Sequence, residues 1–507
     1  MDSLVELAGE LPVALRRNRY DADTVLEVLG VGAHAALGRG EPVPARRAAA
    51  SAGELGTLIR LLLLGDSLPA GRVAAALDPV APATAVAAGL LVADGDRLRA
   101  ALDLRPLDTG GGTRWVFSDL DDGPVRRRPA ADHVLGVGHA SLSLLRATPT
   151  ESTGTVLDLG TGCGVQALHA CSYADRVTGT DVNPRALRLA AATAAINGAD
   201  IDLRIGTWFD PVVGERFDRI VANPPFVVGP GRVEYTYRDS GLALDGASEL
   251  VVAGAPDLLA PGGVATLLAS WVHTRDADWR SRVASWLPDH GIDAWVVQRD
   301  VADPALYVGT WLRDSGLDPR DPAAQRRAEH WLDTLDEAEL TGIGFGFVFL
   351  RRIDGPTEVL AEDLSHGFDD PLGPEVMQYF ARSAWLRDHD LRHARLRRAP
   401  DIALEQISTP TVDGWRQIGA RLHRSDGPRW RHDIDDLLSA LLAGLRPDGL
   451  PLGELVDLLS RGHLGGPATP EFEQAAVDAV AALIRHGLVL PGDGPAASQY
   501  LLRTSGK

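Results

Sequence analysis

The stretch Val156-Leu-Asp-Leu-Gly-Thr-Gly-Cys-Gly164 decides the fold. Residues 156–159 form an apolar strand signal. Gly160, Gly162 and Gly164 follow as a tight turn, and residues 166–172 begin a helix. Glycines at such a turn let the backbone bend sharply and approach a ligand without a Cβ clash. The helix behind it offers free N–H groups to an anionic tail. Asp158 stands where it can accept from an ammonium group, directly or through water. The string therefore suits a nucleoside-type ligand with a charged tail. A dinucleotide site is the rival, but that fingerprint prefers Gly-x-Gly-x-x-Gly, and the third glycine here comes one position early.

Three features downstream narrow the reading. Asp181 ends a second strand about twenty residues on, where a carboxylate can take both ribose hydroxyls. Asn183 is the better N-cap for the helix that begins at Pro184. Trp208, in Gly206-Thr-Trp-Phe209, follows a third strand and can cover one face of an adenine; a core tryptophan is the alternative. Asn223-Pro-Pro-Phe226 follows a fourth strand. The Asn223 side-chain oxygen and the Pro224 carbonyl can each accept one N–H of a planar NH2 group. Two prolines stiffen the loop and remove competing donors, and Phe226 can stack on the planar group. Together the two strings suggest methyl transfer from S-adenosylmethionine (AdoMet) to nitrogen, a displacement that needs positioning more than a strong base.

The spacing predicts an α/β fold. Strands are expected at 156–159, 176–180, 202–205, 217–222, 264–270, 293–298 and 343–350, with helices between them. This is a seven-stranded, mostly parallel, doubly wound Rossmann-like sheet, whose ligands sit beyond the strands' carboxyl ends. Residues 132–352 are assigned to this core. Residues 1–105 read as a helical, winged-helix-like domain, and 106–131 as a polar connector with a hairpin at 114–118. Residues 353–507 read as an extension whose end repeats the winged-helix-like plan, with 353–375 as a second connector. The segment 132–141, with Gly136 and Gly138, can fold over the cofactor or simply lead into a helix.

Composition bounds the rest. The 507 residues carry a formal charge of −19, which argues against a surface that coats nucleic acid broadly. No apolar run reaches the roughly 18–20 residues that span a bilayer. Two cysteines, Cys163 and Cys171, make neither a disulfide framework nor a zinc cluster. His133, His139 and His169 form no recognisable ligand set, so no metal is expected. The start of the chain has no basic-then-apolar leader, and a reduced cytoplasm is the expected location. Arg382, Arg387, Arg392, Arg395, Arg397 and Arg398 form a basic run around Trp385. Phosphate contact and a solvated helix face are both open to it.

The segment from 132 to 350 resembles the class I AdoMet-dependent methyltransferases, and within them the HemK-type, methyltransferase-small group with its Asn-Pro-Pro-Phe motif. The whole arrangement is similar to an actinobacterial branch with extra N- and C-terminal domains. The resemblance implies that Asp158, Leu159, Gly160, Thr161, Gly162, Asp181, Trp208 and Asn223 bind AdoMet, with Gly164 completing the turn. It implies that Asn223, Pro224, Pro225 and Phe226 hold the acceptor nitrogen. Trp208 is similar to release-factor glutamine methyltransferases, whereas Phe226 is similar to ribosomal RNA guanine-N2 methyltransferases.

The expected activity is therefore N-methylation of a planar amide or exocyclic amine in a macromolecule: a protein glutamine or a nucleobase. Tyr235 and Tyr237, in the segment after the Asn223 loop, are expected to contact that substrate as a lid. Small-molecule N-methylation is an alternative. So is an AdoMet-sensing, nucleic-acid-binding regulator without catalysis, although a sensor has no need of an amine clamp.

Overall fold

The computed structural model describes residues 2–120, 130–231, 239–314 and 317–492. Its contacts divide the chain into two units, Met1–Ser365 and His366–Lys507.

The first unit is built on an eight-stranded sheet. Its strands are β1 (Thr153–Leu159), β2 (Ala174–Asp181), β3 (Asp202–Ile205), β4 (Phe217–Ala222), β5 (Leu259–Thr274), β6 (His290–Ala302), β7 (Leu340–Pro356) and β8 (Glu358–Asp363). In space they run β8-β6-β7-β5-β4-β1-β2-β3. The β1–β2, β2–β3, β1–β4 and β4–β5 pairs are parallel, and β7 is antiparallel to both β5 and β6. Seven of the eight match the expected strands, and the reversed β7 between β5 and β6 is the exception to parallel order.

The eighth strand, β8, occupies residues expected to be connector. It pairs in parallel with β6 at the sheet edge and is only partly buried. An edge strand half open to water carries Glu358, Glu362 and Asp363 without penalty, so its sequence reads as polar linker. Pro261-Gly-Gly263, which reads as a helix stop, lies within β5. Leu259 pairs with Phe217 and Val264 with Arg219, so the residues between them bulge out of register.

The helices of this unit are α1 (His139–Ala147), α2 (Val165–Ala170), α3 (Pro184–Asn197), α4 (Gly246–Leu258), α5 (Trp279–Ala284), α6 (Pro304–Asp314) and α7 (Pro322–Glu337). Helix α3 starts as expected: Asn183 accepts from the Arg185 amide at 2.9 Å and Pro184 takes the first turn. Gly198, with φ of 62°, ends it.

The chain ahead of the sheet packs on helix α3. Its short strands Leu68–Pro69, Leu91–Asp94 and Arg97–Ala100 form one small sheet beside the helices Ala70–Leu77 and Pro82–Ala87. The helix Pro82–Ala87 packs against the helix Ser3–Arg17, which itself packs against α3. A hairpin, Leu102–Asp108 with Thr113–Asp119, joins this module to the core. Asn197 of α3 clasps Trp115 by accepting from its amide at 3.0 Å and donating to its carbonyl at 2.7 Å. Thr193 accepts from the Phe117 amide at 3.1 Å. Helix side chains thus satisfy a strand edge that would otherwise lack partners. One apolar cluster runs from Leu4 and Tyr20 through Trp115 and Phe117 to Leu189 and Ile196.

The second unit holds a three-stranded antiparallel sheet (Ile402–Thr411, Gly414–Arg424, Arg431–Ile434) and the helices Gly373–Asp388, Asp436–Gly444, Leu452–Leu464 and Pro470–Arg485. The expected basic run is dispersed here. Arg382 is buried and pairs with buried Glu375, which also accepts from Arg424 at 2.8 Å. Arg392 pairs with Glu473 at 3.2 Å. Much of the run's charge is spent on internal partners.

Candidate active site

Strand β1 ends at Leu159, β2 at Asp181 and β4 at Ala222, and the pairs Leu159–Thr180 and Leu159–Ala222 align these ends. After β1 the chain moves outward to β2 and β3, then returns to β4 on the other side. A crevice opens at that reversal. It is a cavity of about 440 Å3, within the usual range for small-molecule sites.

The glycine turn forms its floor. Gly160 and Gly162 have φ of 74° and 54°, in the left-handed region. Asp158 is buried and holds the turn from beneath: its Oδ2 accepts from Thr161 Oγ1 at 2.6 Å and from the Ala167 amide at 2.9 Å. Burial pushes its carboxyl up to about 7, against the pull of those two hydrogen bonds and with a smaller push from Asp181. Gly164 is placed differently from the expectation, because it does not line the cavity. Its φ is 82°, and a Cβ there would lie 3.1 Å from Ala190, so it lets α2 pack closely on α3.

Asp181 lines the cavity at the end of β2. Its Oδ2 accepts from the Gly162 amide at 2.9 Å and its Oδ1 from the Asn183 amide at 2.8 Å. One carboxylate thus ties the glycine turn to the start of α3, and burial raises its pKa.

Trp208 lines the cavity while also packing on the central apolar cluster. Its φ of 48° is unusual for a bulky residue, a conformation that costs roughly 1–2 kcal/mol. Gly206, two residues earlier, has no room for a Cβ, which would meet Pro211 at 2.5 Å. One residue thus both lines the cavity and packs on the core.

Asn223, Pro224 and Pro225 line the same cavity. Phe226 lies outside its wall and meets Phe345 edge-on, with ring centroids 6.4 Å apart. The Phe226 carbonyl accepts from Ser270 Oγ at 2.6 Å, and the Ser270 amide donates to Ser248 Oγ at 3.0 Å. The next residues are clamped by the α6–α7 pair. The Val228 amide donates to Tyr307 Oη at 2.7 Å, and its carbonyl accepts from Trp331 Nε1 at 3.0 Å. The loop after β4 is thus pinned from strand β5 on one side and from α6 and α7 on the other. Tyr235 and Tyr237 lie outside the described residues. Asp239 and Ser240, which follow them, line the cavity.

The roof is the segment ahead of α1, where His133, Val134 and Gly136 line the cavity. The Val134 amide donates to Asp119 Oδ2 at 2.9 Å, and the Asp119 amide donates to the Val134 carbonyl at 3.1 Å. Asp119 also pairs with Arg185 of α3, whose Nε donates to it at 3.0 Å. Asn183 Nδ2 donates to the Asp132 carbonyl at 3.0 Å. The roof is therefore fixed by the hairpin and by α3. Asp119 was not legible as a site residue, because its partners lie 15 and 66 positions away. Among the described residues no His, Cys, Asp and Glu side chains group as metal ligands, and no helix is long and apolar enough to cross a membrane.

The strand order, the glycine turn and the loop after β4 define the class I AdoMet-dependent methyltransferase fold. Residues 135–270 match the family described as Methyltransferase small domain, and 17–101 and 377–491 match two domains of unknown function. The chain is 35% identical over 238 residues to a release factor glutamine methyltransferase of Moorella thermoacetica, across 44% of this chain and 81% of that one. It is 39% identical over 129 residues to the corresponding protein of Xylella fastidiosa, across 23% and 46%. A ribosomal RNA small subunit methyltransferase C of Salmonella arizonae is 34% identical over 114 residues, across 22% and 33%. In the Xylella and Salmonella comparisons the match spans less than half of the relative. A solved methyltransferase from Pyrococcus furiosus aligns with 46% of this chain and 88% of its own, at 17% identity and a TM-score of 0.26. The chain belongs to the HemK-type, methyltransferase-small family of AdoMet-dependent methyltransferases.

Proposed function

We propose that this protein transfers a methyl group from AdoMet to a planar NH2 nitrogen of a macromolecule, an amide or an exocyclic amine. One observation carries the reading most directly: Asn223 and Pro224 share a cavity wall with the glycine turn and Asp181. When bound, AdoMet supplies an electrophilic methyl group on a sulfonium sulfur. Asp158, beneath the turn, would face its ammonium end, Asp181 would accept from the ribose hydroxyls, and Trp208 would cover the adenine. Asn223 Oδ1 and the Pro224 carbonyl each accept one N–H of the acceptor. That orients the nitrogen lone pair toward the methyl carbon. A new N–C bond forms as the C–S bond breaks, and the nitrogen's extra proton leaves to water. Incubation with tritiated AdoMet and cell extract tests this. Counts removed by ribonuclease or by protease support it, and label in neither fraction overturns it.

Two further outcomes follow from the geometry. Ser270→Ala removes the donor that holds the Phe226 carbonyl. A hydrogen bond of this kind contributes about 1 kcal/mol, so methyl transfer should slow by roughly three- to tenfold with AdoMet affinity unchanged. An unaltered rate in single-turnover assays removes Ser270 as a positioning residue.

The second concerns pH. Asp158 has a carboxyl raised to about 7, so the ligand-free protein holds a proton there at pH 6. The sign follows. A raised pKa stabilises the ligand-free fold at low pH, and that contribution is lost as pH climbs from the ordinary carboxylate range through 7. A cationic ligand prefers the anion, so AdoMet affinity should rise with pH, being about tenfold weaker at pH 6 than above pH 8. Calorimetry in buffers of different ionisation enthalpy should show a proton released on binding near pH 6. No proton release would dissociate Asp158 from the ammonium.

A further inference from the structure

A second cavity of about 290 Å3 begins where the acceptor loop ends. Val227, Gly229 and Gly231 form one wall, and α7 forms the other through Arg326, Arg327 and His330. Asp239 and Ser240 line both this cavity and the first one, so the two adjoin. A substrate group reaching Asn223 thus has this cavity as its neighbour.

The wall is rigidly built. Trp331, one residue beyond His330, donates to the Val228 carbonyl at 3.0 Å, and its indole leaves no slack beside Gly229, where a Cβ would lie 3.2 Å away. Helix α7 is therefore held against this loop, which fixes where Arg326 and His330 leave the helix. Arg326 and His330 have no side-chain hydrogen-bond or ion-pair partner among the described residues, and both are exposed. Some arginines elsewhere do find partners: Arg282 makes a two-pronged pair with Asp245, and Arg320 one with Asp318.

In a chain of net charge −19, Arg326 and Arg327 bring two guanidinium groups to this wall, on a helix that also carries Glu329 and Asp333. The contrast points to an anionic group on the substrate itself. Guanidinium geometry suits phosphate. Gly229, Pro230, Gly231 and the Trp331 indole suit a sugar or base, and Asp239 also lines this cavity, so an anionic group would have to sit on the Arg326 side, away from that carboxylate.

We propose that this cavity binds a phosphate of the methyl acceptor, so that the accepting amine belongs to a nucleotide unit and not to a protein glutamine. This rests on the methyltransferase reading and names its substrate class. Arg326 and His330 would then set specificity without touching the reacting atoms.

The test uses the full chain and three probes. They are a fluorescein-labelled mixed-sequence RNA of about twelve nucleotides, the four nucleoside monophosphates, and a labelled glutamine-containing peptide. Arg326→Glu should weaken RNA binding at least tenfold and make its salt dependence shallower, by about 0.7 in the logarithmic slope for each phosphate no longer neutralised. Arg326→Lys should restore most of the affinity. A defect confined to the oligonucleotide assigns the phosphate to a nucleic-acid backbone, and an equal defect for the monophosphates assigns it to a free nucleotide. RNA binding unchanged by Arg326→Glu overturns the proposal, as does peptide binding that falls in its place. AdoMet calorimetry on the same samples separates the two readings. Wild-type protein that fails to bind AdoMet removes the methyltransferase assignment, whereas normal AdoMet binding with unaltered RNA affinity removes only the phosphate subsite.

Discussion

Replacing Asn223 by alanine should lower methyl transfer roughly a thousandfold, with AdoMet affinity changed by no more than several-fold. Removing one preorganised polar group aimed at a reacting centre costs about two to three orders of magnitude in rate. Here the deleted group also fixes the direction of the attacking lone pair, which places the effect at the upper end. The fold has little reason to suffer. Asn223 is half-buried, and the loop remains held through Phe226, Val228 and their partners Ser270, Tyr307 and Trp331. Single-turnover rates beside calorimetric affinities decide the matter. Equal loss of both would show that the loop serves only the cofactor.

Asp181→Ala should act on the other half of the site and weaken AdoMet binding by about two orders of magnitude, close to 3 kcal/mol. Two effects combine. The ribose hydroxyls lose their acceptor, and the amides of Gly162 and Asn183 lose theirs. An amide stranded in a buried place costs about 1–3 kcal/mol, so the melting temperature should fall as well. Asp181→Asn distinguishes the two effects, since it keeps the shape and one acceptor oxygen. Unchanged affinity for Asp181→Ala would remove the ribose assignment.

Local chemistry made much of this site legible. A strand ending in Asp158, a glycine turn and a helix are contiguous in sequence, and so are Asn183 and Pro184 at the head of α3. A doubly wound sheet brings strand ends to one edge, so residues at those ends could be gathered without knowing any long-range contact. The supports were not legible. Asp119 reaches Arg185 across 66 positions, Ser270 reaches Phe226 across 44, and Trp331 reaches Val228 across 103. No periodicity in a strand or helix encodes such pairings, and a buried serine looks like any other. Gly164 shows the reverse case. It stands in the turn's motif, yet only its packing against Ala190 reveals that it serves helix contact rather than the cavity. Strand β8 was hidden by its position, since an edge strand half in water carries the composition of a loop.

The clasp of Asn197 and Thr193 on the hairpin strand has a consequence for how this protein can be divided. Sequence comparison places one boundary after 101 and another before 135. Folding recognises neither. The apolar residues of the first module, the hairpin and one face of α3 form one cluster, and the hairpin that bridges them also carries Asp119, which holds the roof over the cavity. Segments that differ as families share one apolar core here. The roof over the cavity takes hydrogen bonds from the hairpin outside the matched methyltransferase residues.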